Sequence, residues 1–234
     1  MQILNEPWPW WGTLRGHPLT VGDLVARGTL SPETGATLGW AIQHGASLFV
    51  AAGPPGAGKS TIANALLEFL PDDAQVYVTS GGRDPIILPP TDRPVYLLIN
   101  ELSAHMPVYL YGRAARRAFD LLDEGVRIIG TLHARSAAEA VQVMCAEADR
   151  VPRDIAAPFM FAAVAAYWEG PAIVRRVTEV GFLAPGGDPV LVARTTADRL
   201  RLEPAGLQAL AEWAGIDVGR LQGQIADGVA QLAG

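Results

Sequence analysis

Short, mostly apolar runs alternate with amphipathic segments over the first two thirds of the chain. A run of this kind is typical of a parallel strand that is buried on both faces of a sheet. Between the runs, apolar residues recur at the three- and four-residue spacing that places them on one face of a helix. The pattern predicts strands at 47–52, 75–79, 95–99 and 126–131.

Helix signals stand between these strands. A short helix is expected at 20–27, and Ser31 followed by Pro32 has the residue types that begin a second one. Apolar spacing predicts a helix over 107–124, and Ser136 with Glu139 forms a capping box that begins another. This alternation predicts an α/β fold with a mostly parallel sheet flanked by helices.

The pattern changes after Pro158. Predicted strands follow one another there, with short turns that contain glycine and proline between them, and we expect an antiparallel extension of the sheet. Two helical segments then close the chain. The expected elements are strands at 161–168, 173–183 and 189–193 and helices at 204–213 and 217–232, with a brief strand also at 86–88 in the proline-rich loop 80–94.

The bulk composition excludes several classes of protein. Half of the 234 residues are hydrophobic, which is typical of a folded globular chain. The net charge of −6 argues against sequence-blind nucleic-acid binding. Cys145 is the one cysteine, so no intramolecular disulfide forms. No segment has the pattern of a secretory signal or a membrane span, and we expect a cytoplasmic protein that reaches the inner face of a membrane only through partners.

A glycine-rich segment joins the first of these strands to the helix that follows it. Its residues fit the pattern G-x-x-x-x-G-K-[ST], in which backbone N–H groups surround phosphate oxygens. The lysine of this pattern reaches the β- and γ-phosphates, and the hydroxyl contacts Mg²⁺. The segment therefore predicts a P-loop for ATP with Mg²⁺, with nucleotide-binding residues Gly53, Pro54, Pro55, Gly56, Ala57, Gly58, Lys59, Ser60 and Thr61.

Polar residues follow two other predicted strands. Glu101 comes just after the strand at 95–99, where a carboxylate beside the P-loop can hold Mg²⁺ or polarise an attacking water. Ser60 and Glu101 are therefore the expected metal ligands. His133 follows the strand at 126–131, a position where a histidine is more often structural than functional. Arg135 and Arg113 are candidates to contact a phosphate, because arginine can stabilise the charge of a transferring phosphoryl group.

Four segments resemble the secretion traffic ATPases, the superfamily of type II and type IV secretion and pilus-assembly motors. Residues 130–136, Gly-Thr-Leu-His-Ala-Arg-Ser, resemble their histidine box. Residues 99–102, Ile-Asn-Glu-Leu, are similar to their atypical Walker B motif, in which a glutamate replaces the common aspartate. Residues 23–33 look like the segment before the P-loop in the tight-adherence pilus branch, and 175–180 look like a late strand of the core.

The resemblance implies a RecA-like P-loop NTPase that binds and hydrolyses ATP with Mg²⁺. Within it, Glu101 would be the catalytic and metal-side acid. His133 would be a second catalytic residue, one that senses the γ-phosphate and links it to subunit movement. Members of the superfamily form hexameric rings, so the implied partners are further copies of the chain or proteins of the secretion and pilus machinery.

Two departures from the family pattern stand in the sequence. The second predicted strand leads into Thr-Ser-Gly-Gly at 79–82, where the family has an acidic Asp box, and Asp84 is the nearest acid. The family's separate N-terminal domain has no counterpart, so a compact form is expected. The expected organisation is a Trp-rich N-terminal arm at 1–18, a P-loop ATPase core at 19–200 and a C-terminal helical extension at 201–234. The arm either packs its indoles on the core or docks another subunit.

Three functions are compatible with these motifs. The first is a traffic-type ATPase that serves secretion or pilus assembly. The second is a nucleotide-binding regulatory or scaffold protein with little turnover, which the absent Asp-box acid favours. The third is a small-molecule P-loop kinase. A kinase needs an arginine-bearing lid, and the loop at 80–94 offers only Arg83 and Arg93.

Overall fold

The strands form one mixed sheet in the computed structural model, which describes residues 1–5, 19–196 and 199–232. Each buried run of the sequence becomes a strand close to its expected bounds. Within the described residues, the nine strands are β1 Gln2–Ile3, β2 Ser47–Ala51, β3 Gln75–Val78, β4 Val95–Ile99, β5 Arg127–Leu132, β6 Phe159–Glu169, β7 Ala172–Leu183, β8 Pro189–Thr196 and β9 Arg199–Leu202.

Seven α-helices accompany the sheet in the same ranges. The first two begin as their residue types predict, because the Thr20 hydroxyl accepts the N–H of Asp23 and the Ser31 hydroxyl accepts the N–H of Thr34. No helix of the described chain combines the length and the apolar character that a bilayer crossing requires. The helices are α1 Val21–Ala26, α2 Pro32–Gln43, α3 Lys59–Leu66, α4 Gly112–Asp120, α5 Ala137–Ala148, α6 Pro204–Ala214 and α7 Val218–Leu232.

The sheet order places three strand ends side by side. The order is β1-β3-β4-β5-β2-β6-β7-β8-β9, with parallel neighbours from β1 to β6 and antiparallel neighbours from β6 to β9. The predicted α/β P-loop fold, with its antiparallel extension and closing helices, is confirmed. Because β4, β5 and β2 are adjacent and parallel, the segments after their carboxyl ends meet at one edge of the sheet.

Two apolar layers cover the faces of the sheet. Along β2, Leu48 and Val50 pack in the layer with α1, α2, α3, α6 and α7, and Phe49 packs on the opposite side with α4 and α5. There Phe49 stacks on Phe159 of β6 at 5.7 Å between ring centroids, and Phe159 stacks on Phe119 of α4 at 6.0 Å. These aromatic contacts tie the central strand to its neighbour and to a covering helix.

The helix predicted over 107–124 is shorter than expected. α4 begins at Gly112, and a 3₁₀ turn at Leu121–Glu124 continues it, but 107–111 is not helical. The backbone there pairs with the segment after β4 instead. The Leu110 N–H donates to the Glu101 carbonyl at 2.9 Å, and the Ser103 N–H donates to the Leu110 carbonyl at 3.0 Å. The segment 107–111 therefore holds the loop that carries Glu101 in place through these two hydrogen bonds.

The brief strand predicted at 86–88 does not form. Ile86 has a φ of +43°, in the left-handed region that β-branched residues rarely adopt. The Asp84 carboxylate stabilises this bend, because it accepts the N–H of Ile86 at 2.9 Å, the N–H of Ser80 at 2.6 Å and the hydroxyl of Tyr77 at 2.8 Å. Burial and then this bond to Asp84 raise the pKa of Tyr77. Asp84, the acid nearest to the missing Asp box, is thus buried and accepts the hydrogen bonds that hold this loop.

The first residues of the chain extend the sheet. β1 pairs with β3, and the Asn5 side chain exchanges two hydrogen bonds with the backbone of Val78, at 2.7 and 2.9 Å. These residues belong to the expected arm at 1–18. Its tryptophans, Trp8, Trp10 and Trp11, lie outside the described residues.

The last helices pack on the expected core. The indole N–H of Trp40 in α2 donates to Gln224 of α7 at 2.9 Å, and Trp213 of α6 lies edge-on to Trp40 at 5.9 Å. β9, which the pattern did not predict, spans the expected boundary between 200 and 201. The boundary therefore falls within a strand that pairs with β8.

Two helical glycines test this packing. A Cβ on Gly206 of α6 would lie 2.4 Å from both the Leu191 carbonyl oxygen and the Val192 Cα of β8, whereas a Cβ on Gly223 of α7 would have nothing within 4 Å. We expect Gly206→Ala to lower the free energy of unfolding by about 1–3 kcal/mol, since α6 must move away from the sheet. Gly223→Ala should raise it by about 0.5–1 kcal/mol. Urea unfolding measures both, and effects of the same sign would contradict the close approach of α6 to β8.

Candidate functional site

The P-loop lies between β2 and α3 with its backbone in the conformation that the glycines permit. Gly56 and Gly58 have φ values of +74° and +91°, in the left-handed region that favours glycine. Gly58 is also the N-cap residue of α3 and has no side chain to bond the first N–H groups of the helix. Those N–H groups, together with the positive end of the helix dipole, provide the environment that phosphate prefers.

Three charged or titratable side chains meet beside this loop. Lys59 opens α3, Glu101 follows β4 and His133 follows β5. Oε2 of Glu101 lies 3.5 Å from Nζ of Lys59 and 3.2 Å from Nε2 of His133. The structure thus brings together the P-loop lysine and the two residues that the sequence suggested as catalytic.

Glu101 is buried, with 5% of its surface exposed. A buried carboxylate is costly unless it is paired and hydrogen-bonded, and both conditions are met here. Oε2 faces Lys59 and His133, and Oε1 accepts the Ser103 hydroxyl at 3.2 Å. Ser103 therefore fixes the orientation of the carboxylate and leaves Oε2 toward the P-loop.

The second ring nitrogen of His133 faces the P-loop backbone. Nδ1 lies 3.2 Å from the carbonyl oxygen of Gly53. A carbonyl only accepts, so Nδ1 donates the proton of this bond. Nε2 is then the atom that faces Glu101, and His133 links the first residue of the P-loop to the acid of the neighbouring strand.

A cleft of about 340 Å³ opens between these groups. Both side-chain polar atoms of Asn100 at its wall are buried and have no hydrogen-bond partner among the described residues. Thr131 closes the wall by donating its hydroxyl to the Asn100 carbonyl at 2.5 Å. The pKa of the Tyr109 hydroxyl is raised, mainly because it is partly buried and secondly because the charge of Glu101 is near. The lining residues are Pro55, Gly56, Ala57, Gly58, Lys59, Ser60, Thr61, Asn100, Glu101, Tyr109, Thr131 and His133.

Arg175 of β7 also contacts the P-loop, although the sequence analysis assigned no role to this side chain. Its Nε donates to the Gly56 carbonyl at 3.0 Å, and its Cδ lies 3.2 Å from where a Cβ on Gly58 would be. Only the pairing of β6 with β2 brings β7 to this place. The sequence signal that could have indicated this contact is the pair of arginines at 175–176 inside a predicted strand. Of the two side chains, that of Arg175 reaches the loop.

The two arginines proposed from sequence lie in different places. Arg135 packs along Gly53, since its Cγ is 3.0 Å from where a Cβ on that glycine would be. Arg113 does not line the P-loop cleft. It lies on α4 in a separate groove of about 1020 Å³, with Arg83, Arg116, Arg117 and Arg150.

A second cleft also adjoins the P-loop. Its volume is about 420 Å³, and it shares Gly56, Gly58 and Thr61 with the first. Its walls are mainly apolar, with two arginines at the edge. They are Leu19, Leu24, Arg27, Thr29, Ile62, Ile173, Val174 and Arg175.

The contact between Arg175 and the P-loop yields a matched test. Arg176 follows it on the same strand and points to the opposite face. We expect Arg175→Ala to weaken binding of a fluorescent nucleotide by about 3- to 10-fold, because it removes a charged hydrogen bond that holds the loop backbone. Arg176→Ala should leave the dissociation constant within about 2-fold, within the spread usual for surface changes. Equal losses in a fluorescence titration would remove the special role of Arg175.

No family model matches the chain, and its similarity to individual proteins is distant in the three cases that follow. The uncharacterized protein MJ0900 of Methanocaldococcus jannaschii is 23% identical, over 58% of this chain and 28% of that protein. The VirB11 ATPase of the Brucella suis type IV secretion system, in complex with sulphate, gives a TM-score of 0.41 at 14% identity, with 75% of this chain and 53% of that one covered. The Legionella pneumophila ATPase DotB gives 0.35 at 11% identity, with 80% and 53% covered. The chain spans about half the length of the two structures and just over a quarter of the archaeal protein.

Proposed function

We propose that the chain binds ATP with Mg²⁺ in the P-loop cleft and hydrolyses it as a traffic-type ATPase. The observation that carries this proposal is that Lys59 and His133 both face one carboxylate oxygen of Glu101, beside a P-loop. A lysine for the phosphates, an acid for the attacking water and a polar sensor are the parts that nucleotide hydrolysis needs.

The phosphates would bind to the P-loop backbone and to Lys59. In the structure Lys59 pairs with Glu101 at 3.5 Å, so its ammonium must turn from the carboxylate toward the phosphates. That movement removes one positive charge from Oε2 of Glu101 and leaves the oxygen available to accept a proton from water. Nucleotide binding and activation of Glu101 are therefore linked through a single ammonium group.

The residues of the cleft fit a magnesium ion. Mg²⁺ prefers oxygen ligands and keeps several waters, and Ser60 and Glu101 offer a hydroxyl and a carboxylate on the same cleft. The buried and unpaired amide of Asn100 lies on that cleft and can bond such waters. When bound, the ion would neutralise charge on the β- and γ-phosphates.

The adjoining apolar cleft suits the nucleoside. A chain of phosphates on the P-loop would lead from the polar cleft across the shared Gly56 and Gly58 into the second one. Leu24 and Ile173 provide apolar surface for a base, and Arg27 lies at the same wall.

We further propose that the ATPase serves secretion or pilus assembly, at the cytoplasmic side of a membrane that it reaches through partners. The histidine box and the glutamate Walker B motif support this role, and the net charge of −6 argues against nucleic acid as the partner. In that family the working unit is a homo-oligomer, with a hexamer as the implied form. Arg113, which lies away from the P-loop of its own chain, would then be available to a neighbouring copy.

A second candidate is a nucleotide-binding regulatory or scaffold protein with little turnover. The structure offers a specific reason for it, because Asp84 is committed to backbone and hydroxyl donors. Glu101 is then the only carboxylate among the described residues that line the cleft. Such a protein would bind nucleotide tightly and release no phosphate.

Turnover separates the two candidates. We expect the wild-type chain to release phosphate from ATP only with Mg²⁺, and Glu101→Gln to lower that rate by about 100-fold or more while it still binds nucleotide. Lys59→Ala should lose binding. Glu124→Gln, on an exposed glutamate paired with Arg117, is the matched control and should keep full activity. Tight binding without any phosphate release in the wild type would favour the regulatory protein.

The position of the base yields another prediction. Ile173 is 43% exposed at the wall of the apolar cleft. Ile173→Asp should weaken ATP binding by about 10-fold, because a base would lose apolar contact and meet a charge. Binding of inorganic tripolyphosphate should stay the same, since it needs only the P-loop. Isothermal titration measures both ligands, with Ile87→Asp at another exposed position as control. Equal losses for both ligands would contradict a base in this cleft.

A further inference from the structure

Three metal-binding side chains meet at one edge of the P-loop cleft. Ligand atoms of Glu101, His105 and His133 all lie within 4.8 Å of one another. His105 lies outside the motifs discussed above and does not line the phosphate cleft. We propose that these residues form a site for a transition-metal ion of the zinc class, distinct from the Mg²⁺ that accompanies a nucleotide.

The bonding of His133 prepares it as a ligand. Its Nδ1–H donates to the Gly53 carbonyl at 3.2 Å, which is the outer bond that metal-binding histidines usually make. Nε2, the ring nitrogen that would bind a metal ion, faces Oε2 of Glu101 at 3.2 Å. A metal ion would satisfy both atoms at once.

Glu101 is oriented for the same task. The Ser103 hydroxyl donates to Oε1 at 3.2 Å, so Oε2 is the oxygen that remains for a metal. The Ser103 hydroxyl also accepts the backbone N–H of His105 at 3.4 Å, which ties the main chain of the third ligand to the first. One serine thus positions both the carboxylate and the loop of His105.

The geometry requires a small movement of one side chain. Metal–ligand bonds of about 2.1 Å in a tetrahedral site place ligand atoms about 3.4 Å apart. The Glu101–His133 pair already meets this spacing at 3.2 Å. His105 is exposed, and its ring centroid lies 5.9 Å from that of His133, so a change in its side-chain torsions can bring it to the ion.

Two imidazoles and one carboxylate determine the class of ion. Imidazole favours Zn²⁺, Co²⁺, Ni²⁺ and Cu²⁺, whereas Mg²⁺ favours oxygen ligands. Three protein ligands also leave a fourth position for water. The described chain therefore offers a nitrogen-rich site next to an oxygen-rich one, with Glu101 common to both.

Lys59 is the cation that competes for this site. Its Nζ lies 3.5 Å from the same oxygen that the metal needs, and repulsion between the ammonium and a divalent ion lowers metal affinity. A bound metal would in turn occupy Glu101 and keep it from a role in hydrolysis. This inhibitory consequence rests on the proposed function, but the metal site itself does not.

Metal binding to the tag-free full chain tests the proposal. Equilibrium dialysis and isothermal titration with Co²⁺ or Zn²⁺ should give one site per chain, and bound Co²⁺ should show visible absorption bands. His105→Ala should weaken binding by at least about 10-fold. His44→Ala, on an exposed histidine bonded to Trp40 away from the cleft, should leave it unchanged. Lys59→Ala should strengthen it, because the competing ammonium is gone.

The results distinguish this site from the nucleotide site. His105→Ala should bind a fluorescent ATP analogue as the wild type does, whereas Lys59→Ala should lose the analogue and gain metal affinity. Failure of the wild type to bind Co²⁺ more tightly than His105→Ala, or an equal loss in His44→Ala, would overturn the proposal. Metal binding without nucleotide binding would overturn the proposed function and leave the metal site supported.

Discussion

The pairing of the Glu101 carboxylate with Lys59 and His133 is the interaction on which the site depends. A charge with 5% exposure cannot rely on water, and removal of one partner from a buried ion pair typically costs 3–5 kcal/mol. The P-loop and two strand ends must therefore stay in register with one another. The same contact keeps the lysine of the P-loop away from bulk solvent until another anion takes the place of the carboxylate.

The order of the strands makes this contact possible. Glu101, His133 and the P-loop follow β4, β5 and β2, which lie next to one another although they are distant in sequence. Gly130 in β5 lets these strands pack closely, because a Cβ there would lie 2.9 Å from both Ile99 and Phe49. This close packing of the three strands helps to bring Glu101 within reach of Lys59 and His133.

Local signals predicted much of the fold and the parts of the site that belong to motifs. Apolar runs gave the parallel strands because both faces of the sheet are buried, and the P-loop, Glu101 and His133 each follow such a run. Arg175 could not be predicted, since its place beside Gly56 depends on the pairing of β6 with β2. The segment 107–111 has helical spacing, yet its backbone bonds to Glu101 and Ser103, and no periodic pattern reports a bond of that kind. Arg113 and Arg135 had the right chemistry, but only the helix and loop geometry shows which surfaces they reach.

The β6–β7 hairpin extends beyond the strands on either side of it. β2 pairs with β6 as far as Ala163, and β8 pairs with β7 as far as Glu179, so beyond these residues the two strands pair only with each other among the described strands. At about 3.3 Å per residue this ribbon projects roughly 20 Å, with Trp168 70% exposed near its tip. Near the base of the ribbon, the N–H of Val177 donates to the Thr29 carbonyl at 2.9 Å. Two residues closer to the tip, Arg175 donates to the Gly56 carbonyl of the P-loop. Arg175 lies between Val177 and the tip, so its hydrogen bond connects the projecting part of the ribbon to the P-loop. A partner that displaced the tip would therefore disturb the P-loop backbone through Arg175.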